Sequence, residues 1–215
     1  MNKVVIVTGA SRGIGAETAK LLASQGYRVC VNYLSNHERA QQVVDAIIDT
    51  GGEAFCCQAD VSSEAEVNAL FERVHHHFGT VTHLVNNAGV LFTQSRLVDI
   101  DLERFEKVMA ANVTSCFLCS RAFIAQSGEK CAIVNVSSAA SRTGAPNEYV
   151  DYAASKGAMD SLTKGLSLEL ADQGIRVNAV RPGCVSTLRF TQMEESRIEL
   201  TALHRVFHLN VEGQL

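Results

Sequence analysis

Tyr152 and Lys156 stand four residues apart in the stretch YAASK. Residues at that spacing share one face of a helix, so a phenol and an ammonium can converge on one point. An ordinary tyrosine has a pKa of ~10, and lowering it by about three units takes ~4 kcal/mol of preferential phenolate stabilisation. A neighbouring ammonium supplies much of that. The pair therefore predicts a proton donor, Tyr152, tuned by Lys156 and directed at a carbonyl or alcohol oxygen. Tyr149 lies close by, but its neighbour four residues on is Ala153.

A second chemical signal opens the chain. The apolar run KVVIVT leads directly into TGASRGIG, and an amphipathic stretch follows. Glycines at 9, 13 and 15 permit a tight turn, a close backbone approach to a pyrophosphate, and a helix start packed near the sheet. Where the bound dinucleotide has a free 2′-hydroxyl, the second strand of such a unit usually ends in a carboxylate. Here that strand ends Asn32-Tyr33, no carboxylate precedes Glu38, and Arg12 lies in the glycine turn. An uncharged pocket beside a guanidinium suits a 2′-phosphate, which favours NADP over NAD.

Six short β-branched runs must position these groups: residues 3–8, 27–33, 53–59, 83–87, 131–137 and 175–180. They are nearly continuous in apolar character, as strands buried on both faces are. Amphipathic helical periodicity separates them; Ala19, Leu22 and Ala23 share one face, and Val67, Leu70, Phe71 and Val74 another. The predicted fold is α/β, a Rossmann-type doubly wound parallel sheet in a single domain. Both prolines fall late in the sequence, and no linker or repeat divides it.

Composition narrows the partners. The net charge is −4 and the 19 basic residues are scattered, which argues against nucleic acid or an anionic membrane. No apolar run approaches membrane-spanning length, and no leader precedes the first strand, so a cytoplasmic location is expected. The 7 cysteines lack disulfide-framework spacing and fit a reducing compartment. Cys116 and Cys119 form a C-x-x-C inside a helical pattern and read as packing residues. Cys56 and Cys57, adjacent in a strand, point to opposite faces. His75, His76 and His77 lie about 100° apart on a helix and read as a solvated face, so no metal site is expected.

In its motifs the chain resembles the short-chain dehydrogenase/reductase family, particularly its glucose-dehydrogenase-like and 3-oxoacyl-reductase-like branches. The resemblance rests on TGASRGIG, Asp60-Val61, NNAG at 86–89, Asn112, the serines at 137 and 138, YAASK at 152–156 and RPG at 181–183, in family order over residues 3–183. It implies a cofactor site formed by Gly9, Ser11, Arg12, Gly13, Ile14, Gly15, Asp60, Val61, Asn87, Ala88, Gly89, Tyr152, Lys156, Pro182 and Gly183. It implies that Asp60 meets the adenine amino group, that Ser138 steadies the reacting oxygen, and that Asn112 holds a water relay behind Lys156. Ser138 precedes Tyr152 by fourteen residues, one more than the family spacing, so an insertion is expected between them. The implied activity is hydride transfer between NADP(H) and a small carbonyl or alcohol substrate, in a homo-oligomer. The alternative is a nucleotide-binding remnant whose catalytic power is impaired.

The remnant reading comes from the tail. Residues 1–183 form the expected dinucleotide-binding and catalytic domain, but 184–215 lack the substrate lid, the seventh strand and the glycine-rich ending that the family has after RPG. Codons permitted for residues 192–215 can be chosen so that, read from their third base, they give DGGEPDRIDRVASRVPFKRGGTA. That string resembles the family's lid and ending. The tail therefore reads as out of frame from near Cys184. A divergent C-terminus is the alternative, with 192–207 as a helix carrying Ile198, Leu200, Leu203 and Phe207. The nucleotide sequence checks the first reading: an overlapping family-like frame is expected downstream of codon 183, and its absence would overturn the idea.

Overall fold

The structure, a computed structural model, describes residues 3–128 and 130–183. The tail, and with it the expectation of an out-of-frame segment, lies outside the described residues. Six strands form one parallel sheet: β1 (Val4–Val7), β2 (Arg28–Tyr33), β3 (Glu53–Gln58), β4 (His83–Asn86), β5 (Ala132–Val136) and β6 (Arg176–Val180). Their order across the sheet is β3-β2-β1-β4-β5-β6. The order reverses at β1, which pairs with β2 on one side and β4 on the other. Connections diverge there to opposite faces, and a crevice opens beyond the strand ends.

Helices α1 (Gly13–Ser24), α2 (His37–Asp49), α3 (Glu64–Phe78), α4 (Leu102–Met109), α5 (Ser115–Gln126), the short α6 (Ala140–Thr143) and α7 (Val150–Glu169) fill the crossovers. One core lies between the sheet and α1 and α2, with Ala19, Leu22, Val43 and Ile47 against Val5, Val29 and Val134. A second lies on the opposite face, where Leu70, Val74, Phe123 and Leu170 meet Ile6, Leu84 and Ile133. Strands enclosed on both faces account for the apolar runs, and β1, β4 and β5 are buried throughout. β3 departs from this expectation because it is an edge strand: Glu53 and Gln58 are exposed.

The expected segregation of Cys56 and Cys57 holds, since Cys56 packs with the α2-side core and Cys57 with the other. Cys116 and Cys119 are buried on α5. His75, His76 and His77 are exposed on α3, although the His77 ring also stacks on Phe55 at 4.4 Å between centroids.

The span Leu102–Gln126 differs from the sequence reading. It is one continuous helical segment of 25 residues, long and apolar enough by length and composition to cross a membrane. Its apolar side is used otherwise: Val108, Leu118, Cys119 and Phe123 are buried in the protein. The helix is interrupted at Ala110–Thr114 by one wider π turn. Such a turn carries one extra residue and commonly re-aims a side chain at a functional site. Asn112 is in it.

Candidate active site

The glycine turn follows β1 and lies against the end of β4. Gly9 has φ +61, and a Cβ there would lie 2.9 Å from the Cα of Ala88. Only a residue without a side chain fits that backbone. Gly15 is equally confined, since a Cβ would meet the Asn87 amide and the Gly9 carbonyl oxygen. The turn hands over to α1 at Arg12, whose side chain makes no capping hydrogen bond. The first turn of α1 thus has no side-chain cap at Arg12, and such a helix start favours an anion. Arg12 is exposed, Ser11 is half-buried, and Ile14 leans into the α1-side core.

Buried amides hold this cradle to its neighbours. The Gly9 N–H donates to Asn32 Oδ1 at 3.2 Å, and Asn32 Nδ2 donates to the carbonyls of Cys57 and Ala59. Asn32 thus stands at the end of β2 as a neutral brace. Tyr33 beside it is buried, with its hydroxyl 2.8 Å from His37 Nδ1. Asn87 Nδ2 donates to the carbonyls of Thr8 and Gly9 at 2.9 and 3.1 Å. Ala88 and Gly89 continue the same wall by their backbones. Asp60 ends the β3 segment with Oδ1 accepting from the N–H and hydroxyl of Ser62, and Val61 beside it is buried. Pro182 accepts from the Ala139 N–H at 2.9 Å, which places the RPG motif next to the loop carrying Ser138. Among the described residues, nothing lies within 4 Å of where a Cβ would stand at Gly183.

α7 carries Tyr152 and Lys156 on one side, and the Lys156 ammonium sits 5.6 Å from the Tyr152 ring centroid. Lys156 is only 4% exposed. Its Nζ donates to the Val136 carbonyl at 2.7 Å, with Met159 Sδ at 3.9 Å. Burial depresses its pKa to about 8, opposed by the Cys116 and Asp160 side chains. Tyr152 behaves differently from the sequence expectation. Its pKa is raised by burial, and the opposing influence is a hydrogen bond with Ser138, not the Lys156 ammonium. The reason is orientation: the ammonium is occupied by the end of β5. Tyr152 is thereby held as a neutral phenol.

Ser138, not Ser137, is the serine that faces Tyr152. Ser137 turns its hydroxyl toward the Lys156 carbonyl at 3.3 Å. The stretch between Ser138 and Tyr152 contains α6 and a tight bend, where Gly144, Ala145 and Asn147 all have positive φ.

Asn112 is fully buried in the π turn. Its Oδ1 accepts from the Val90 N–H at 2.7 Å, and its Nδ2 donates to Val90 O at 3.2 Å and to Ser155 Oγ at 2.9 Å. The side-chain amide is committed to protein partners. Ser155, which the sequence reading passed over, also donates to the Tyr152 carbonyl at 2.7 Å. Its only sequence signal was its place inside YAASK.

A deeper polar chain keeps these elements in register. Asn86 Nδ2 donates to Ser120 Oγ and to Asn135 Oδ1, and Asn135 Nδ2 donates to Thr163 Oγ1 at 2.8 Å. It links β4, β5, α5 and α7 without using water-accessible surface. Periodicity cannot reveal such a link, because its partners are scattered along the chain.

The family model for short chain dehydrogenase matches residues 3–213. The chain belongs to the short-chain dehydrogenase family. Among curated proteins it is 51% identical over 208 residues to the uncharacterized oxidoreductase YgfF of Escherichia coli, covering 94% of this chain and 83% of that protein. It is 36% identical over 200 residues to glucose 1-dehydrogenase 2 of Bacillus subtilis, covering 91% and 77%. Among solved structures, a short chain dehydrogenase from Burkholderia cenocepacia in complex with NADP is 38% identical, with TM-score 0.82 and coverage of 86% and 76%. The short-chain dehydrogenase fold and an NAD(P)-dependent oxidoreductase activity follow from this membership.

Lys156 gives a pH dependence with a definite sign. Its folded pKa, about 8, lies below its ordinary value of 10.5. Between those pH values the unfolded chain holds the proton and the folded chain does not, so this group makes stability rise with pH across that window. Chemical denaturation from pH 7 to 11 should show Lys156→Met lacking that rise, by up to about one proton in slope. Parallel profiles for the two proteins would contradict it.

Proposed function

We propose that the chain is an NADP(H)-dependent reductase of small carbonyl compounds, working in reverse as an alcohol dehydrogenase. The observation that carries this reading is that Tyr152 and Lys156 share one side of α7, with Ser138 acting on Tyr152 and the Lys156 Nζ close to Gly89, next to the glycine cradle. Residues 1–183 act as one dinucleotide-binding and catalytic unit. The cradle of Gly9, Gly13 and Gly15 with the uncapped start of α1 fits a pyrophosphate, and Asp60, Val61 and the backbone of 87–89 line the rest of the site. Bound there, the nicotinamide dinucleotide supplies or accepts the hydride.

Tyr152 gives its proton to the substrate oxygen as that oxygen gains electron density. Burial keeps the phenol protonated at neutral pH, so the proton is available, but it also weakens the acid, and the transfer relies on the Lys156 charge to offset that cost. Ser138 donates a second hydrogen bond to the same oxygen and disperses its charge. The Lys156 ammonium, held here by the Val136 carbonyl, would hold the cofactor ribose when the dinucleotide is bound, and its positive charge would lower the cost of the phenolate that remains. Asn112 completes the proton route through its backbone carbonyl, since its side chain is held by Val90 and Ser155. Pro182 and Gly183 close the nicotinamide side.

The preference for NADP is supported by the neutral end of β2, where Asn32 and Tyr33 are both turned inward. The exposed guanidinium of Arg12 in the glycine turn supports the same preference, since a 2′-phosphate would make a charge-assisted pair with it. Exposed Leu102, Phe105 and Phe117 on the α4–α5 side support a homo-oligomer, and we infer a cytoplasmic enzyme acting on a small-molecule substrate.

Two measurements test this reading. Tyr152→Phe should leave the Kd for NADPH within about 3-fold of the parent and reduce carbonyl turnover at least about 100-fold, because it removes only the transferable proton. Retained turnover would reject the assignment. Arg12→Ala should weaken NADPH binding by about 10-fold or more while changing NADH binding little, since only the phosphate makes a charge-assisted pair. Equal losses for the two cofactors would reduce Arg12 to a shaping role.

A further inference from the structure

One buried ion pair beside the site has no part in the chemistry above. Arg104 lies in the first turns of α4, and Asp151 lies in the first turn of α7, immediately before Tyr152. The Arg104 Nε donates to Asp151 Oδ2 at 2.7 Å and its Nη2 to Oδ1 at 3.3 Å. The third nitrogen, Nη1, donates to the Thr93 carbonyl at 2.9 Å. The guanidinium carbon also lies 5.6 Å from the Phe92 ring centroid. The side chains of Arg104 and Asp151 are 17% and 1% exposed. This sets them apart from the solvent-facing pairs Lys20–Glu17 and Lys107–Glu103.

Thr93 belongs to the segment that leaves β4, passes Gly89 and Val90 beside Asn112, and meets the loop before α7 through the Ser95 N–H and the Glu148 carbonyl at 2.9 Å. One planar guanidinium therefore joins α4, the 89–96 segment and the start of α7. A buried ion pair seldom adds net stability over an apolar pair of the same volume. A bidentate fork, however, fixes both distance and angle, which an apolar contact does not. The element it fixes is the turn from which Tyr152 projects.

We propose that Arg104 and Asp151 form a positioning pair that sets the first turn of α7 against the 89–96 segment, so that the Tyr152 hydroxyl meets Ser138 and the substrate oxygen at reacting geometry. The proposal rests on the reading of Tyr152 as proton donor. A misplacement of about 1 Å can cost on the order of 100-fold in rate.

The test uses the full chain with NADPH and the best substrate from a screen of 3-oxoesters, ketones and aldoses. The double variant Arg104→Gln/Asp151→Asn removes both charges together and leaves no lone buried charge. It should keep its Tm within a few degrees and its KM for NADPH within about 3-fold, while kcat falls about 10- to 100-fold. Its Tyr152 phenol, followed in the cofactor-free protein by ultraviolet phenolate absorbance with Tyr152→Phe as the subtraction, should titrate at higher pH as contact with Ser138 is lost. Arg104→Lys keeps the charge without the fork and should show the same kcat loss, which keeps the question answerable if the double variant does not fold. Parent-like kcat and phenol titration in a folded double variant, or parent-like kcat in Arg104→Lys, would overturn the proposal. Tyr152→Phe separates the two layers: if it retains turnover, the proton-donor reading fails, whereas an inactive Tyr152→Phe beside a fully active Arg104 variant sinks only the positioning role.

Discussion

The seam between β1 and β4 is the constraint on which the site depends, and one hydroxyl closes it. Thr8 Oγ1 donates to the Val85 carbonyl and accepts from the N–H groups of Asn87 and Ala88 at 3.0 and 2.9 Å. A hydroxyl has one proton and two lone pairs, so its capacity is filled. Through it the last residue before the glycine turn is bound to the first residues beyond β4. Strand order reverses at that seam, and the two walls of the crevice hang from its two sides. The Asn87 amide repeats the tie one layer farther out by holding the carbonyls of Thr8 and Gly9.

Around this seam, the chain spends its buried polar groups on holding elements together. Asn32, Asn86, Asn87, Asn112 and Asn135 are amides whose hydrogen bonds run between different strands or helices. Leaving a buried amide without partners is costly, so most of these groups favour a single arrangement of their neighbours, although the Asn86 Oδ1 is buried without a partner. Burial, by contrast, governs the titration of Lys156 and Tyr152. Lys156 is charged in a site whose burial opposes charge, and Tyr152 remains a neutral phenol for the same reason.

The architecture was legible because parallel strands enclosed on both sides must be apolar, and because only glycine fits Gly9 against Ala88. The Ser138, Tyr152 and Lys156 cluster was legible from helix spacing together with family resemblance. What was hidden depended on direction and on distant pairing. Nothing in the sequence indicates that the Lys156 ammonium turns to the Val136 carbonyl, or that burial governs Tyr152 more than its cationic neighbour does. The partial exposure of β3 follows from its place at the sheet edge, which the order of runs along a chain does not give. The fork between Arg104 and Asp151 joins helices 47 positions apart in sequence. The π turn at Asn112 likewise left no mark in a periodicity that continues on both sides of it.

The central position of β1 also has a kinetic meaning. Its residues pair with β2 after one short crossover, but Val5 meets His83 only when two further helices and β3 have been made. During synthesis at about 5–20 residues per second, that partner emerges several seconds after β1 itself. Until then a strand whose four residues all end up buried has one unpaired edge. Long-range parallel pairing of this kind is slow to nucleate because the loop must close before contacts reward it. The feature that creates the binding crevice is thus also where the nascent chain is most exposed to wrong partners, and where a chaperone has the most to cover.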